Sequence, residues 1–174
     1  SRVMPSIQMA PVTFAMLMGV FLSEGCCFWQ EESGDFGIDI SQGTNSVGLA
    51  RRQELLLALT DADISHRIHS NGEKIRVSGK QLAAYFKQFG KSYEKYIPEE
   101  MFSWSAETLR TLFKWLMWGD GHAADNGRPI CYSTTSRRLA DDVQRLCLHI
   151  GIAANVVMRH GDRTMVIKGK EYDC

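Results

Sequence analysis

The chain has 174 residues, of which 44% are hydrophobic and 23% are charged. This length and composition suffice for a buried core and exclude a disordered or collagen-like chain. Twenty basic side chains balance twenty acidic ones, so the net charge gives no general attraction for nucleic acid. Locally the balance shifts, with seven Lys and Arg against two acids in residues 66–95 and eight against five in residues 127–174. Either segment could lie against phosphates.

The five cysteines are an odd number and include no Cys-x-x-Cys pair. They argue against a disulfide framework and a structural zinc site, and they are typical of a reducing compartment. We therefore expect a cytoplasmic protein. The longest apolar stretch, residues 14–22, is only nine residues long, so it cannot span a bilayer and no membrane partner is expected.

The first predicted helix runs from Pro11 to Ser23 and ends at Gly25. Ala15, Gly19 and Ser23 are spaced by four and form a line of small residues along it. The elements predicted next are two strands, a helix, a hairpin around Asn71-Gly72 and another helix. Their ranges are 26–32, 36–42, 49–59, 67–70, 74–78 and 81–89.

A second helix is predicted from near Ser105 to a stop at Gly121, and the same order of elements then recurs. Its members are a strand over 130–134, a helix over 137–150, and strands over 155–160 and 164–168 around Gly161-Asp162. No counterpart of the helix over 81–89 follows, so the second half is expected to be incomplete. The repeat predicts an α+β fold with halves 1–103 and 104–174 and helices on one face of antiparallel sheets.

Both motif helices end in an acid followed by a glycine. The segment LMGVFLSEG at 17–25 resembles the first motif of the LAGLIDADG homing endonucleases, and FKWLMWGDG at 113–121 resembles the second. The acids Glu24 and Asp120 are 96 residues apart, a normal length for one half of a two-motif member. KYIP at 95–98 resembles a segment that precedes the second motif in intein-borne members. YSTTS at 132–136, with RLADDVQ at 138–144, resembles a stretch common in the endonuclease portion of inteins.

The resemblance implies a pseudo-twofold repeat of helix-ββ-helix-ββ-helix with two saddle-shaped sheets and paired motif helices. It also implies a site-specific double-strand DNA endonuclease that uses Mg²⁺, for which Mn²⁺ can substitute. Glu24 and Asp120 would bind the metal together with the carbonyls of Ser23 and Gly119. The auxiliary catalytic residues implied are Lys95 and Gln42.

Elementary electrostatics agrees with a metal at these acids. A carboxylate at a helix C-terminus faces the negative end of the helix dipole, and two converging carboxylates repel each other. A divalent cation removes that conflict, and oxygen ligands suit Mg²⁺. Trp115 is a departure, because it stands where the motif's first glycine is expected. The helix packing there is therefore expected to be asymmetric or looser.

In this family the free faces of the sheets lie in the DNA major groove and read bases. The implied partner is double-stranded DNA with a long recognition site, bound by a monomer that acts as a pseudo-dimer. The candidate DNA-binding residues are Trp29, Glu31, Asp39, Ser41, Arg67, His69, Lys74, Ser133, Thr135, Arg137 and Arg138.

Other interpretations remain open. An acid and a glycine that close one apolar helix are usually only a helix cap, although two such ends with Lys95 between them favour a site. A DNA- or RNA-binding protein that has lost cleavage, as a regulator or an intron maturase, is the alternative function, favoured by Trp115 and the incomplete second half. Intein splicing is not expected, because no splicing nucleophile with its histidine block is present. The chain could still be a fragment of an intein and thus part of a mobile genetic element.

Overall fold

The computed structural model describes residues 9–43, 45–70 and 72–158, and the backbone of 165–170. Its helices are α1 (Pro11–Glu24), α2 (Ser46–Asp61), α3 (Lys80–Phe86), α4 (Ala106–Asp120) and α5 (Arg137–His149). Its strands are β1 (Gly25–Gln30), β2 (Asp35–Ser41), β3 (Arg67–Ile68), β4 (Lys74–Ser78), β5 (Gly121–Ala123), β6 (Pro129–Thr134), β7 (Ala153–Met158) and β8 (Met165–Lys170). Short 3-10 helices cover Lys87–Phe89, Ser92–Glu94 and Glu99–Ser103.

The α+β repeat predicted from the sequence is confirmed. Each half contributes one four-stranded antiparallel sheet, with orders β1-β2-β4-β3 and β5-β6-β8-β7, so the strand order is the same in both. The left-handed backbone of Gly34 and Gly72 accounts for the two tight turns of the first sheet, since glycine adopts it without strain. Asn71 and the Gly161-Asp162 turn lie outside the described residues.

The chain forms two compact units. The first includes residues 24–90, and the second includes residues 10–23 and 91–174. The division into halves 1–103 and 104–174 follows the sequence repeat and stays a prediction. No helix in the described part of the chain is long and apolar enough to cross a membrane.

In the first unit the sheet has one apolar and one polar face. Ile38, Ile40, Ile75 and Val77 alternate along β2 and β4 and are almost fully buried on the face that carries α3. Because side chains alternate along a strand, the residues between them point to the opposite face. That face carries the charged side chains of the sheet.

In the second unit α1 is a core helix, since every residue from Ala15 to Leu22 is buried. Its line of small residues packs on α4, as the sequence predicts. A Cβ atom at Gly19 would lie 2.7 Å from the Cβ of Trp115 and 2.8 Å from the carbonyl oxygen of Leu112. One turn later, the Ser23 hydroxyl donates to the carbonyl of Leu116 at 2.9 Å. The packing at Trp115 is thus asymmetric, with glycine against tryptophan, and it is close.

Candidate active site and nucleic-acid interface

A polar cavity of about 340 Å³ opens at the end of α1 in the first unit. Its lining residues are Glu24, Ser41, Gln42, Gly43, Glu73 and Lys74. The Gln42 backbone N–H donates to the carbonyl of Glu73 at 3.0 Å, which fixes the position where β2 ends. The Gln42 side chain is 7% exposed, and its Nε2 is buried with no hydrogen-bond partner within the described residues. A buried donor without a partner is costly, so this amide is suited to an oxygen atom that enters the cavity.

A second cavity, of about 300 Å³, opens at the end of α4 in the second unit. Its lining residues are Leu22, Ser23, Ser92, Asp120, Ser133, Thr134 and Thr135. The polar groups here are one carboxylate and neutral hydroxyls, whereas the first cavity contains a lysine ammonium and an amide. The two predicted metal-binding acids therefore lie at chemically unequal cavities.

The donors of both cavities fit a hard cation that retains much of its water. The first offers the carboxylates of Glu24 and Glu73, and the second offers that of Asp120. In the described part of the chain no three His, Cys, Asp or Glu side chains form a cluster able to hold a metal alone. Mg²⁺ commonly binds through one or two carboxylates together with substrate phosphates, so these cavities suit a metal that arrives with DNA.

Lys95 lies elsewhere than its predicted catalytic role suggests. Its side chain is only 4% exposed, and it is not among the described residues that line either cavity. Its Nζ donates to the carbonyl of Phe21 at 2.7 Å and lies 4.9 Å from the centre of the Phe21 ring. Phe21 belongs to the last turn of α1, so the ammonium is located at the C-terminal end of a motif helix.

The two segments that resemble intein endonucleases contact each other. The Ser136 hydroxyl donates to the carbonyl of Lys95 at 2.6 Å, and the Ile97 N–H donates to the Asp142 carboxylate at 2.8 Å. Between them, the Arg138 guanidinium lies 3.7 Å from the centre of the Tyr96 ring. Burial raises the pKa of Asp142, although the Ile97 N–H opposes that shift. The start of α5 thus holds three consecutive residues of the KYIP segment.

A charged network covers the polar face of the first sheet. Arg76 donates to both carboxylate oxygens of Asp39 and to Asp35, and its guanidinium lies 3.7 Å from the centre of the Phe28 ring. His69 Nε2 lies 3.6 Å from Asp39. Burial would raise the pKa of Asp39, but the hydrogen bonds and charge of Arg76 outweigh it and lower the pKa. Asp39 is thus a carboxylate whose charge is balanced inside the sheet.

The register corrects part of the predicted DNA-binding set on β1. Cys26 pairs with Asp39 and Phe28 with Gly37, so even-numbered residues of β1 share the polar face. The expectation that Trp29 shares a face with Asp39 is wrong. Trp29 lies on the face of α3, with the Lys87 ammonium 4.7 Å from its ring, and Glu31 lies in the turn after β1. The physical reason is that β1 begins directly where α1 ends, which sets its alternation one residue from the expected one.

The remaining candidates divide between strands and caps. Ser41, Lys74 and Arg67 lie on the polar face of the first sheet and His69 beside it, while Ser133 lies on β6. Thr135 follows β6, and Arg137 begins α5, so neither is the strand residue that was predicted. The predictions that these residues bind DNA, and that Ser23 and Gly119 offer carbonyls to a metal, stay predictions.

The sequence analysis missed Arg76, Glu73 and Ser92. The alternation of Lys74, Arg76 and Ser78 along β4 was a usable signal for Arg76, because Lys74 was already a candidate on that face. Glu73 and Ser92 lie in a turn and a 3-10 helix, where no periodicity marks a site.

Comparisons with known proteins agree with this geometry. Residues 103–171 match the model of the LAGLIDADG-like domain. The described fold also superposes on I-DmoI in complex with DNA and Mn, with a TM-score of 0.63, 15% identity and coverage of 92% of this chain and 90% of that one. The chain belongs to the LAGLIDADG family.

Other LAGLIDADG structures match as well. I-DmoI variants and complexes that contain Mg or Ca with DNA have TM-scores of 0.64 and 0.62 at 15% identity. The N-terminal LAGLIDADG domain of DUF199/WhiA has a TM-score of 0.56 at 10% identity, over 92% of this chain and 75% of that domain. The shared feature at these identities is the fold.

Three curated proteins contain segments similar to the chain. The DNA gyrase of Mycobacterium kansasii has a polypeptide that is 24% identical over 163 residues, which is 85% of the chain and 29% of that relative. The replicative helicase DnaB of a Nostoc strain is 42% identical over 71 residues, and a Clp protease component of Chlamydomonas moewusii is 30% identical over 87. These cover 38% and 49% of the chain but 8% and 9% of the two relatives. The chain thus spans less than a third of the first relative and less than a tenth of the other two.

Proposed function

We propose that the chain is a divalent-metal-dependent DNA endonuclease that cuts both strands of a specific double-stranded site. The observation that carries this proposal is that each acid ending a motif helix lines its own polar cavity, Glu24 in the first unit and Asp120 in the second. A helix cap alone would not require a cavity at each end. The I-DmoI complexes with target DNA and metal support the same direction.

Each residue has a distinct part in the proposed reaction. Glu24 and Asp120 bind the metal, with the carbonyls of Ser23 and Gly119 as further oxygen ligands. When bound, Mg²⁺ or Mn²⁺ supplies an activated water and neutralises charge on the phosphate. The Gln42 amide donates to a phosphate oxygen, because its buried donor has no partner within the described residues.

Specificity is assigned to the polar faces of the two sheets. The Lys74 ammonium and the Arg67 guanidinium are on the first face, where they can contact phosphates or guanine edges. Ser133 and the residues that follow β6 offer hydroxyls on the second. Arg76 is engaged by Asp39, so it orders the first face and is not proposed to read a base directly.

The curated relatives support a mobile origin. They are named for unrelated functions, as a gyrase, a helicase and a protease, yet a segment of each is similar to this chain. A segment shared by unrelated proteins is expected of an inserted element that moves between genes. We infer that the chain is such an element, of the kind carried by inteins.

Cleavage of a randomised DNA library tests the function. The purified chain is incubated with the library and Mg²⁺ at low salt, and the cut ends are captured and sequenced. One cut site should be enriched, and the double variant Glu24→Gln with Asp120→Asn should bind that site without cutting it. No enriched end at any protein concentration would contradict the proposal.

A second function, DNA binding without cleavage, is favoured by the lining of the second cavity. That cavity contains Asp120 and hydroxyl groups but no cationic side chain among its lining residues. If the unmodified chain selects one sequence in a binding experiment and never cuts it with Mg²⁺ or Mn²⁺, this second function is the correct one.

A further inference from the structure

The Lys95 ammonium is placed where a helix needs positive charge. The Phe21 carbonyl, 2.7 Å from Nζ, is one of the last four of α1, the groups that helices commonly leave to side chains or water. The negative end of the helix dipole and the Glu24 carboxylate are at the same helix end, and a cation there is favourable. A lysine amine that hydrogen-bonds a terminal carbonyl is a recognised form of helix C-cap.

We propose that Lys95 is a positioning residue whose ammonium caps the C-terminal end of α1 and fixes the turn that presents Ser23 and Glu24 to the metal. This inference rests on the proposed function. It differs from a role in the reacting water network, because the Lys95 side chain is only 4% exposed and lines neither cavity among the described residues. A direct contact with DNA would require the amine to leave its carbonyl partner.

The start of α5 keeps Lys95 in place. Ser136, Arg138 and Asp142 contact the Lys95 carbonyl, the Tyr96 ring and the Ile97 N–H, respectively. Lysine has a long side chain that loses several rotatable bonds when it is ordered. Fixing its backbone at three consecutive residues confines the amine to the end of α1. Ser136 is fully buried and also accepts from the Leu139 N–H, so the same hydroxyl caps α5 and holds Lys95.

Four substitutions separate this role from its alternatives. Lys95→Met removes the ammonium and keeps an apolar stem, and Lys95→Arg keeps the charge. Asp142→Leu removes the acceptor of the Ile97 N–H, whereas Asp142→Asn retains an oxygen acceptor. Lys114→Met is the matched control, because Lys114 is an exposed lysine on α4 with its amine 5.1 Å from the Trp115 ring.

The probe is Tb³⁺, a hard cation whose luminescence is excited through nearby tryptophans, titrated into the full chain without DNA. The relevant signal is the binding that Glu24→Gln abolishes. Lys95→Met should weaken that binding at least fivefold, Lys95→Arg should restore part of it, and Lys114→Met should leave it unchanged. Ser136→Ala and Asp142→Leu should weaken it in the same direction, and Asp142→Asn should not. The Mn²⁺ concentration for half-maximal cleavage should rise in the same order.

The outcomes distinguish this inference from the proposed function. Unchanged Glu24-dependent Tb³⁺ binding in Lys95→Met, with slower cleavage, overturns the inference and assigns Lys95 to the chemistry. If Lys95→Met fails to fold by circular dichroism, Ser136→Ala and Asp142→Leu decide, and wild-type binding in both overturns it. Tb³⁺ binding that does not depend on Glu24 overturns the proposed function and this inference together. A wild-type chain that binds Tb³⁺ through Glu24 but cuts no DNA overturns only the nuclease.

Discussion

Arg76 donates hydrogen bonds of 2.7 and 2.8 Å to the two carboxylate oxygens of Asp39, its partner on the neighbouring strand. The pair is nearly buried, with side-chain exposures of 13% and 7%. A third guanidinium nitrogen donates to Asp35 and the plane lies over Phe28, so the protein itself uses most of this arginine. The centre of the polar face is therefore ordered before any DNA arrives.

Arg76→Met should destabilise the chain strongly. It leaves the Asp39 carboxylate buried without its partner, and removing one member of a buried pair costs about 3–5 kcal/mol. The free energy of unfolding from urea denaturation measures the effect. The control is Arg67→Met, because the Arg67 pair with Asp35 is 3.5 Å long and the arginine is 60% exposed. An exposed pair of this kind contributes about 1 kcal/mol or less.

The double variant Asp39→Leu with Arg76→Met checks the cause. It removes both charges, so it should recover much of the stability lost in Arg76→Met alone. If the double variant is less stable than the single one, the loss comes from packing against Phe28 and not from an unpaired carboxylate.

The stability of the first sheet should depend on acid pH through Asp39. The pKa of Asp39 is lowered, since Arg76 outweighs the burial that would raise it. A lowered folded-state pKa gives stability that is fully present above the unfolded pKa of about 3.9 and is lost as the pH falls through the folded pKa. Urea midpoints between pH 3 and 7 should therefore fall more steeply for the wild type than for Asp39→Asn. Parallel curves would show that Asp39 contributes no acid dependence.

Gly19→Ala should disturb the contact between α1 and α4. The added methyl group would lie 2.8 Å from the Leu112 carbonyl oxygen and 3.0 Å from the Leu116 nitrogen, both backbone atoms that cannot rotate away. Overpacking of this kind costs about 1–3 kcal/mol. Gly79→Ala is the control, because its nearest neighbour would be the Leu82 Cβ at 3.5 Å, an ordinary contact. Thermal melts of both variants make the comparison, and equal melting temperatures would contradict the close approach at Gly19.

The sequence predicts the elements of this fold well because each has a local cause. Ser105 accepts from the Thr108 N–H and starts α4, and apolar residues spaced by three and four form its buried side. The face of β1 was mispredicted because its alternation depends on where α1 ends, and one residue inverts every side chain. Trp29 shows this error, since its position in the chain was right and its direction was wrong.

The role of Lys95 shows a different limit. Spacing relates Lys95 to the KYIP segment, but its contacts are to Phe21, 74 residues earlier, and to Ser136, 41 residues later. No periodicity links residues so far apart. The sequence could identify both intein-like segments, and only the folded chain brings one against the other.

The two cavities should cut their strands at unequal rates. The first contains the buried Gln42 amide and the Lys74 ammonium, which can bind phosphate oxygens, and the second offers only hydroxyls beside Asp120. Charge-assisted hydrogen bonds are about twice as strong as neutral ones, so the first cavity should stabilise the transition state better. A supercoiled plasmid with the selected site should therefore accumulate as a nicked circle before it becomes linear.

Strand-specific end labels assign the first nick. Asp120→Asn leaves the first cavity intact, and Glu24→Gln leaves the second. If the first cavity is faster, the strand that the wild type nicks first is the one that Asp120→Asn still cuts, and Gln42→Leu slows that strand about 10²–10³-fold, the usual effect of losing one transition-state donor. Thr135→Ala, which removes a hydroxyl from the second cavity, should slow only the other strand. A first nick on the strand that Glu24→Gln still cuts would reverse the order and make the hydroxyl-lined cavity the faster one.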